Sequence, residues 1–174
     1  KNILVVLEGL PTMSHLVRFV YDALDAVERF QTVIRPHPAF SLDRILDGAG
    51  LSIADFKTLK ISEHPHIMQD FEDADLVVYK GSTAAIEAGY LGIPLIHYAH
   101  PNLLTDDPLF EVGNLKEVAA TPEDLIPAIE KLSSMSDEDF LLQHGSLRKY
   151  LDEYLTPPRP EFASAFLPDP PKGE

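Results

Sequence analysis

The chain contains no cysteine. A disulfide framework, a thiolate metal site and redox chemistry at sulfur are therefore excluded, and the composition fits a reducing interior. Basic residues are also scarce: 14 lysines and arginines stand against 28 acids, a formal net charge of −14. That balance repels polyanions, so nucleic acid and anionic membrane surfaces are not expected partners. A small anionic ligand is still compatible with it wherever a local site supplies donors. No apolar run approaches the ~20 residues that a bilayer span needs, and the start lacks the charged head and apolar stretch of a signal peptide. A soluble, cytoplasmic location is expected, with any approach to the inner face of a membrane made through other parts of a longer protein. Several site signatures are missing as well. There is no G-x-S-x-G elbow and no Walker sequence, and Gly9 stands without the further glycines of a dinucleotide fingerprint.

What is present reads as one domain of ordinary size, 174 residues long. The chain starts at Lys1 and enters an apolar run two residues later, which reads as a domain excised from a longer protein. Ile3 to Leu7 is a continuous β-branched and aliphatic run, as expected of a strand buried on both faces. Further short runs follow at Thr32–Ile34, Leu59–Ser62, Leu76–Tyr79, Pro94–His97 and Lys116–Ala119. Between them lie helical patterns: one capped by Ser14 and running to about Arg29, then Ser41–Leu46, Ile67–Asp73 and Ser82–Leu91. Two more open at Thr121-Pro122 and at Ser136. Residues 101–114 read as loop. Strands alternating with helices predict an α/β, Rossmann-like, doubly wound parallel sheet of about six strands with helices on both faces, over residues 1–155. Six of the fifteen prolines fall in the last nineteen residues. Residues 156–174 are accordingly expected to be a tail that is disordered or laid on a partner surface.

Ligands of such sheets bind beyond the carboxyl ends of the strands, and the chemically interesting residues follow strands here. After the fourth strand comes Lys80-Gly81-Ser82-Thr83, at the amino end of a helix. Unpaired amides, a positive dipole end and a bare glycine would together stabilise a phosphate without many cations. Glu87 lies one turn further along the same face, leaning back toward the amino end, where a carboxylate suits the vicinal diol of a ribose. The plainer alternative is that Ser82 or Thr83 merely caps the helix and Glu87 is a solvated acid. After the second strand comes Arg35-Pro36-His37-Pro38, which holds an imidazole rigidly where it can stabilise phosphate charge; a stiff turn is the alternative.

The stretch GSTAAIEAGYLGIP, with ADLVVY before it and RPHP one half-domain earlier, resembles the carboxyl-terminal domain of GT-B glycosyltransferases, particularly bacterial enzymes of capsule and surface-polysaccharide synthesis. The resemblance implies a donor-phosphate site at Arg35, His37, Lys80, Gly81, Ser82 and Thr83, with the donor ribose at Glu87. It also implies base contacts at His66 and Ile67, in the loop after the third strand. The RPHP stretch is similar to the His-Pro motif of bacterial sialyltransferases and polyol-phosphate transferases. The first loop departs from the family, because Thr12, Met13 and Ser14 would have to serve where relatives carry glycines.

The implied ligand is a sugar nucleotide built on UDP, CDP, CMP or GDP, acting as donor substrate, with no further cofactor. The implied partner is an amino-terminal acceptor-binding domain outside this chain, to which the acceptor site and usually the catalytic base belong. No catalytic residue is assigned, and the isolated chain is expected to be inactive. His64, His66, His97 and His100 sit on separate loops with no defined ligand set, so no metal site is expected. The rival functions are a sugar-nucleotide 2-epimerase on the same two-domain plan and a non-catalytic α/β interaction or regulatory domain. A receiver domain is disfavoured by Leu7-Glu8-Gly9 at the end of strand one, where a phosphorylatable aspartate would be needed.

Overall fold

In the computed structural model, which describes residues 1–103 and 106–155, the six apolar runs pair into a single sheet. The strands are β1 (Asn2–Val6), β2 (Gln31–Arg35), β3 (Lys60–Ile61), β4 (Leu76–Tyr79), β5 (Leu95–Tyr98) and β6 (Lys116–Ala119). All pairs are parallel and the order is β3-β2-β1-β4-β5-β6. Parallel strands buried on both faces should be continuously apolar, and β4 is buried at every position, as is β1 after Asn2. The proline-rich segment 156–174 lies outside the described residues.

Each sheet face has its own core. On one, Ile3 and Val5 of β1 pack with Leu16, Val17, Val20 and Leu24 of α1 (Met13–Leu24). Ile45 and Leu46 of α2 (Leu42–Ala49) and Leu125 and Ile129 of α5 (Pro122–Ser133) complete it. On the other, Leu4 and Val6 meet Phe71 of α3 (Ile67–Asp73), Ala85 and Ala88 of α4 (Ala84–Tyr90), and Leu147 and Leu151 of α6 (Asp137–Tyr154). Truncating a fully buried side chain such as Leu16 to alanine is expected to cost about 2–5 kcal/mol.

The helix starts at Thr121 and Ser136 form as their sequences predict. Thr121 and Asp124 make a reciprocal capping box, and the Ser136 hydroxyl accepts from the Asp139 amide at 3.1 Å. α2 runs on to Ala49 and α4 spans Ala84–Tyr90 where Ser82–Leu91 was expected, and both ends of the first helix differ. The first helix ends at Leu24, because the buried Asp25 carboxylate takes the amides of Lys57, Thr58 and Leu59 (2.9, 3.2 and 3.3 Å) and ties the chain to the loop before β3. Ser14 is not its cap. The helix begins at Met13, and Ser14 is buried against Gly48 of α2, with its hydroxyl 3.3 Å from where a Cβ on that glycine would stand.

With right-handed crossovers, the outward path β1-β2-β3 places α1 and α2 on one face, and the return path β4-β5 places α3 and α4 on the other. The winding reverses between β1 and β4, so the connections leaving them diverge and open a crevice at the carboxyl rim. The loops after β1, β2, β3 and β4 all reach that rim.

Candidate functional site

A cleft of about 360 Å³ opens at this crevice, lined by Arg35, His37, His66, Ile67, Ser82, Thr83 and Glu87, with Val6 and Leu7 at its floor. These residues come from three separate connections and share a single space. A larger groove of about 970 Å³ runs along the flank of β2 and β3 as far as Asn2 and Gln31. It extends to the amino ends of the strands and is lined by none of the residues predicted to meet phosphate or ribose, so the smaller cleft is the better candidate.

Within the cleft, each polar group is held differently. His37 Nδ1 accepts from the Ala39 amide at 3.1 Å, so a neutral ring carries its proton on Nε2, which remains available as a donor. The ring lies on Gly9, where a Cβ would stand 3.0 Å from Nδ1. Glycine is needed there for close approach, a role unlike that of a dinucleotide fingerprint. The Ser82 hydroxyl accepts from the Ala84 amide at 3.3 Å, and the carbonyls of Ser82 and Thr83 start α4 by accepting from Ala85 and Ile86. Among the described residues, no protein group accepts from the amides of Ser82 and Thr83, and none donates to the Glu87 carboxylate, which is exposed. The cleft therefore presents two free amides, one imidazole donor and one free carboxylate.

Other residues predicted to meet phosphate are engaged within the protein. Arg35 touches the cleft, but its Nη1 donates to Asp70 Oδ2 at 2.9 Å, to Ser62 Oγ at 3.3 Å and to the His64 carbonyl, while Nη2 donates to the Pro65 carbonyl at 3.2 Å. Its charge is balanced by a buried carboxylate, and it braces the loop that carries His66 and Ile67. Lys80 is buried and donates to Asp106 at 2.5 Å. The Gly81 amide donates to Glu8 Oε1 at 2.6 Å. Neither Lys80 nor Gly81 lines the cleft; both lie beside it. Of Thr12, Met13 and Ser14, Met13 and Ser14 are buried and Thr12 is half-buried.

The four histidines weighed for a metal do not converge. His64 Nδ1 is 3.1 Å from Asp70, His97 is buried, and His100 packs its ring on His15 at 4.6 Å. Burial, with His15 and Lys80 nearby, holds His100 below the ordinary imidazole value.

Three acidic residues at this rim were not singled out by the sequence. Glu8 sits between His37 and Gly81, and burial pushes its carboxyl above the usual range, against the lowering effect of the Gly81 amide. Asp106 covers Gly81. Asp107 is buried and accepts from the Tyr79 hydroxyl (2.7 Å), Lys116 Nζ (2.8 Å) and the Leu109 amide (2.9 Å). Burial pushes the Asp107 carboxyl up, but those donors outweigh it and the group ends below its ordinary value. Beside it His97 is held low by burial, with its Nε2 buried and unpartnered among the described residues. Glu8 could have been found by the rule that selected His37, since each stands two residues past the end of a strand.

No protein-family model and no curated sequence matches the chain. Solved structures do. The glycotransferase of kitacinnamycin superposes with a TM-score of 0.61 at 16% identity, over 88% of this chain and 40% of that one. The wall teichoic acid polymerase TagF gives 0.53 at 14%, over 89% and 45%, and a UDP-N-acetylglucosamine 2-epimerase gives 0.52 at 16%, over 100% and 46%. The fold is one Rossmann-like half of such enzymes. The chain spans less than half the length of each of these structures, and at these identities the likeness is one of architecture.

Proposed function

We propose that this chain is the donor-binding domain of a GT-B-type glycosyltransferase acting in bacterial surface or capsular polysaccharide synthesis. The observation that carries the reading is the convergence of His37, Ser82, Thr83 and Glu87 on one cleft at the strand carboxyl ends, with the amides, the imidazole donor and the carboxylate all unclaimed among the described residues. A phosphate of a sugar nucleotide binds the Ser82 and Thr83 amides, as an anion does at a helix start. Its ribose hydroxyls donate to Glu87. His66 and Ile67 lie along the same cleft, within reach of the base.

In transfer, the bond between the anomeric carbon and the phosphate oxygen breaks, the acceptor oxygen bonds to that carbon, and negative charge grows on the departing phosphate. A donor aimed at that charge stabilises the transition state more than the ground state, and His37 Nε2–H is the group placed to do this. The acceptor and the base that takes its proton are assigned to a second domain. Likeness to the epimerase supports a second reading, in which the same donor site serves inversion of a free nucleotide sugar. Product analysis with the two-domain protein separates the two: transfer to an acceptor or a changed free sugar.

Calorimetry with UDP, CDP, CMP and GDP tests the donor site itself. At least one is expected to bind more tightly than about 1 mM, or about −4 kcal/mol. Absence of binding by all four would end this reading.

A further inference from the structure

Lys80 is a buried cation whose partner is not buried. Its side chain is 6% exposed, whereas that of Asp106, 2.5 Å away, is 39% exposed. Gly81 lies beneath the same carboxylate: a Cβ there would stand 2.5 Å from Asp106 Cγ and 2.7 Å from Oδ2. Asp106 thus fills the space above the turn that leads into Ser82 and Thr83. Among the described residues, Lys80 is the only group that donates to the Asp106 side chain. The next residue is fixed quite differently, since Tyr79, Lys116 and the Leu109 amide all hold Asp107. The chain is anchored at 107, and Asp106 rests on Lys80 just before that anchor.

We infer that the Asp106 carboxylate occupies the place of the second phosphate of a diphosphate ligand, and that binding exchanges one for the other at Lys80. The inference rests on the donor-site reading, which puts the first phosphate at Ser82 and Thr83. An exposed carboxylate can turn into water, but a lysine buried to this degree cannot follow it. Once Asp106 leaves, Lys80 is a poorly hydrated charge that has lost its hydrogen-bonded acid and feels Glu8 only through space, and an incoming phosphate supplies a new direct partner. Glu8 stays in place, because its own bond is to the Gly81 amide. A monophosphate seated at Ser82 and Thr83 has nothing to place at Lys80 and leaves Asp106 where it is. Asp106 is therefore a specificity-determining residue: it affects diphosphates by competing with them directly and monophosphates only through space.

The test compares wild type with Asp106→Asn and Asp106→Ser, each confirmed as folded by thermal melting. Calorimetry is run with the pairs UDP and UMP, CDP and CMP, GDP and GMP, and pyrophosphate and phosphate. Both variants should bind the diphosphate member about tenfold more tightly than wild type, and the monophosphate member less than about threefold more tightly. No gain for diphosphates, or equal gains for both members, overturns the exchange while leaving a nucleotide site intact if nucleotides bind. A selective gain for pyrophosphate with no nucleotide bound by any form upholds the exchange and removes the nucleotide reading. Failure of every anion to bind every form overturns both.

Discussion

Two clusters of polar groups are packed against the same sheet, and they are built in opposite ways. Around Asp107, a buried carboxylate is met by Tyr79, Lys116 and the Leu109 amide, with His97 packed alongside. Around Glu87, the groups are exposed, and the carboxylate and the amides of Ser82 and Thr83 find no partner among the described residues. The contrast separates polar groups that the fold itself pairs from those that the proposed donor site would use. A buried charge must be paired in place because water cannot solvate it. A group at a cleft mouth can remain unpaired because water holds it until something better arrives.

The largest effect is expected of Asp107→Ala. It strands Lys116 as a buried cation, so stability should fall by about 3–5 kcal/mol in urea denaturation; a loss below about 1 kcal/mol would mean the two clusters are not opposites. Glu87→Ala is the converse. Nucleotide affinity should fall by about 1–3 kcal/mol in calorimetry, while stability stays within about 0.5 kcal/mol of wild type. A smaller loss of affinity is expected for Gly9→Ala, whose Cβ would press on the His37 ring. Forcing that ring off its rotamer should cost about 0.5–1.5 kcal/mol of nucleotide binding.

The smallest effect concerns Glu8, which lies between the clusters in character, half-buried and bonded to one amide. Its carboxyl is raised in the folded chain, so the folded state holds the proton more tightly than the unfolded state does. The group is then harmless below the unfolded value and costs stability as pH rises through the folded one. Glu8→Gln should therefore gain stability relative to wild type between pH 4 and pH 7, as followed by denaturant titration at both. A gain that shrinks over that range would contradict the burial of Glu8.

Much of the sheet was legible because its information is local. The runs at Ile3 and Leu76 and the restart at Gly92-Ile93-Pro94 carry their own strand and turn signals, and parallel order follows from alternation with helices. That His37, Ser82 and Thr83 would stand at one rim was legible because they lie just past strand ends, and Glu87 because it lies one helical turn further on. What escaped was tertiary. The end of α1 depends on amides more than thirty residues away that bind Asp25, and Ser14 lost its capping role to packing against α2. Lys80 and Arg35 read as free cations because Asp106 and Asp70 are distant in sequence. Asp106 and Asp107 fall in a stretch with no periodicity, where nothing local separates an anchor from a displaceable neighbour.

The central claim is that ligand-facing groups are the unpaired ones at the cleft. Amide chemical shifts of the isotope-labelled chain, titrated in turn with UDP, CDP, CMP and GDP, address it most directly. The account predicts that one nucleotide moves the Ser82 and Thr83 amides and the His37 ring, saturably, while Leu109 and Lys116 stay nearly still. Shifts centred on Leu109 and Lys116, or on the flank of β2 and β3 with Ser82 and Thr83 unmoved, would contradict it.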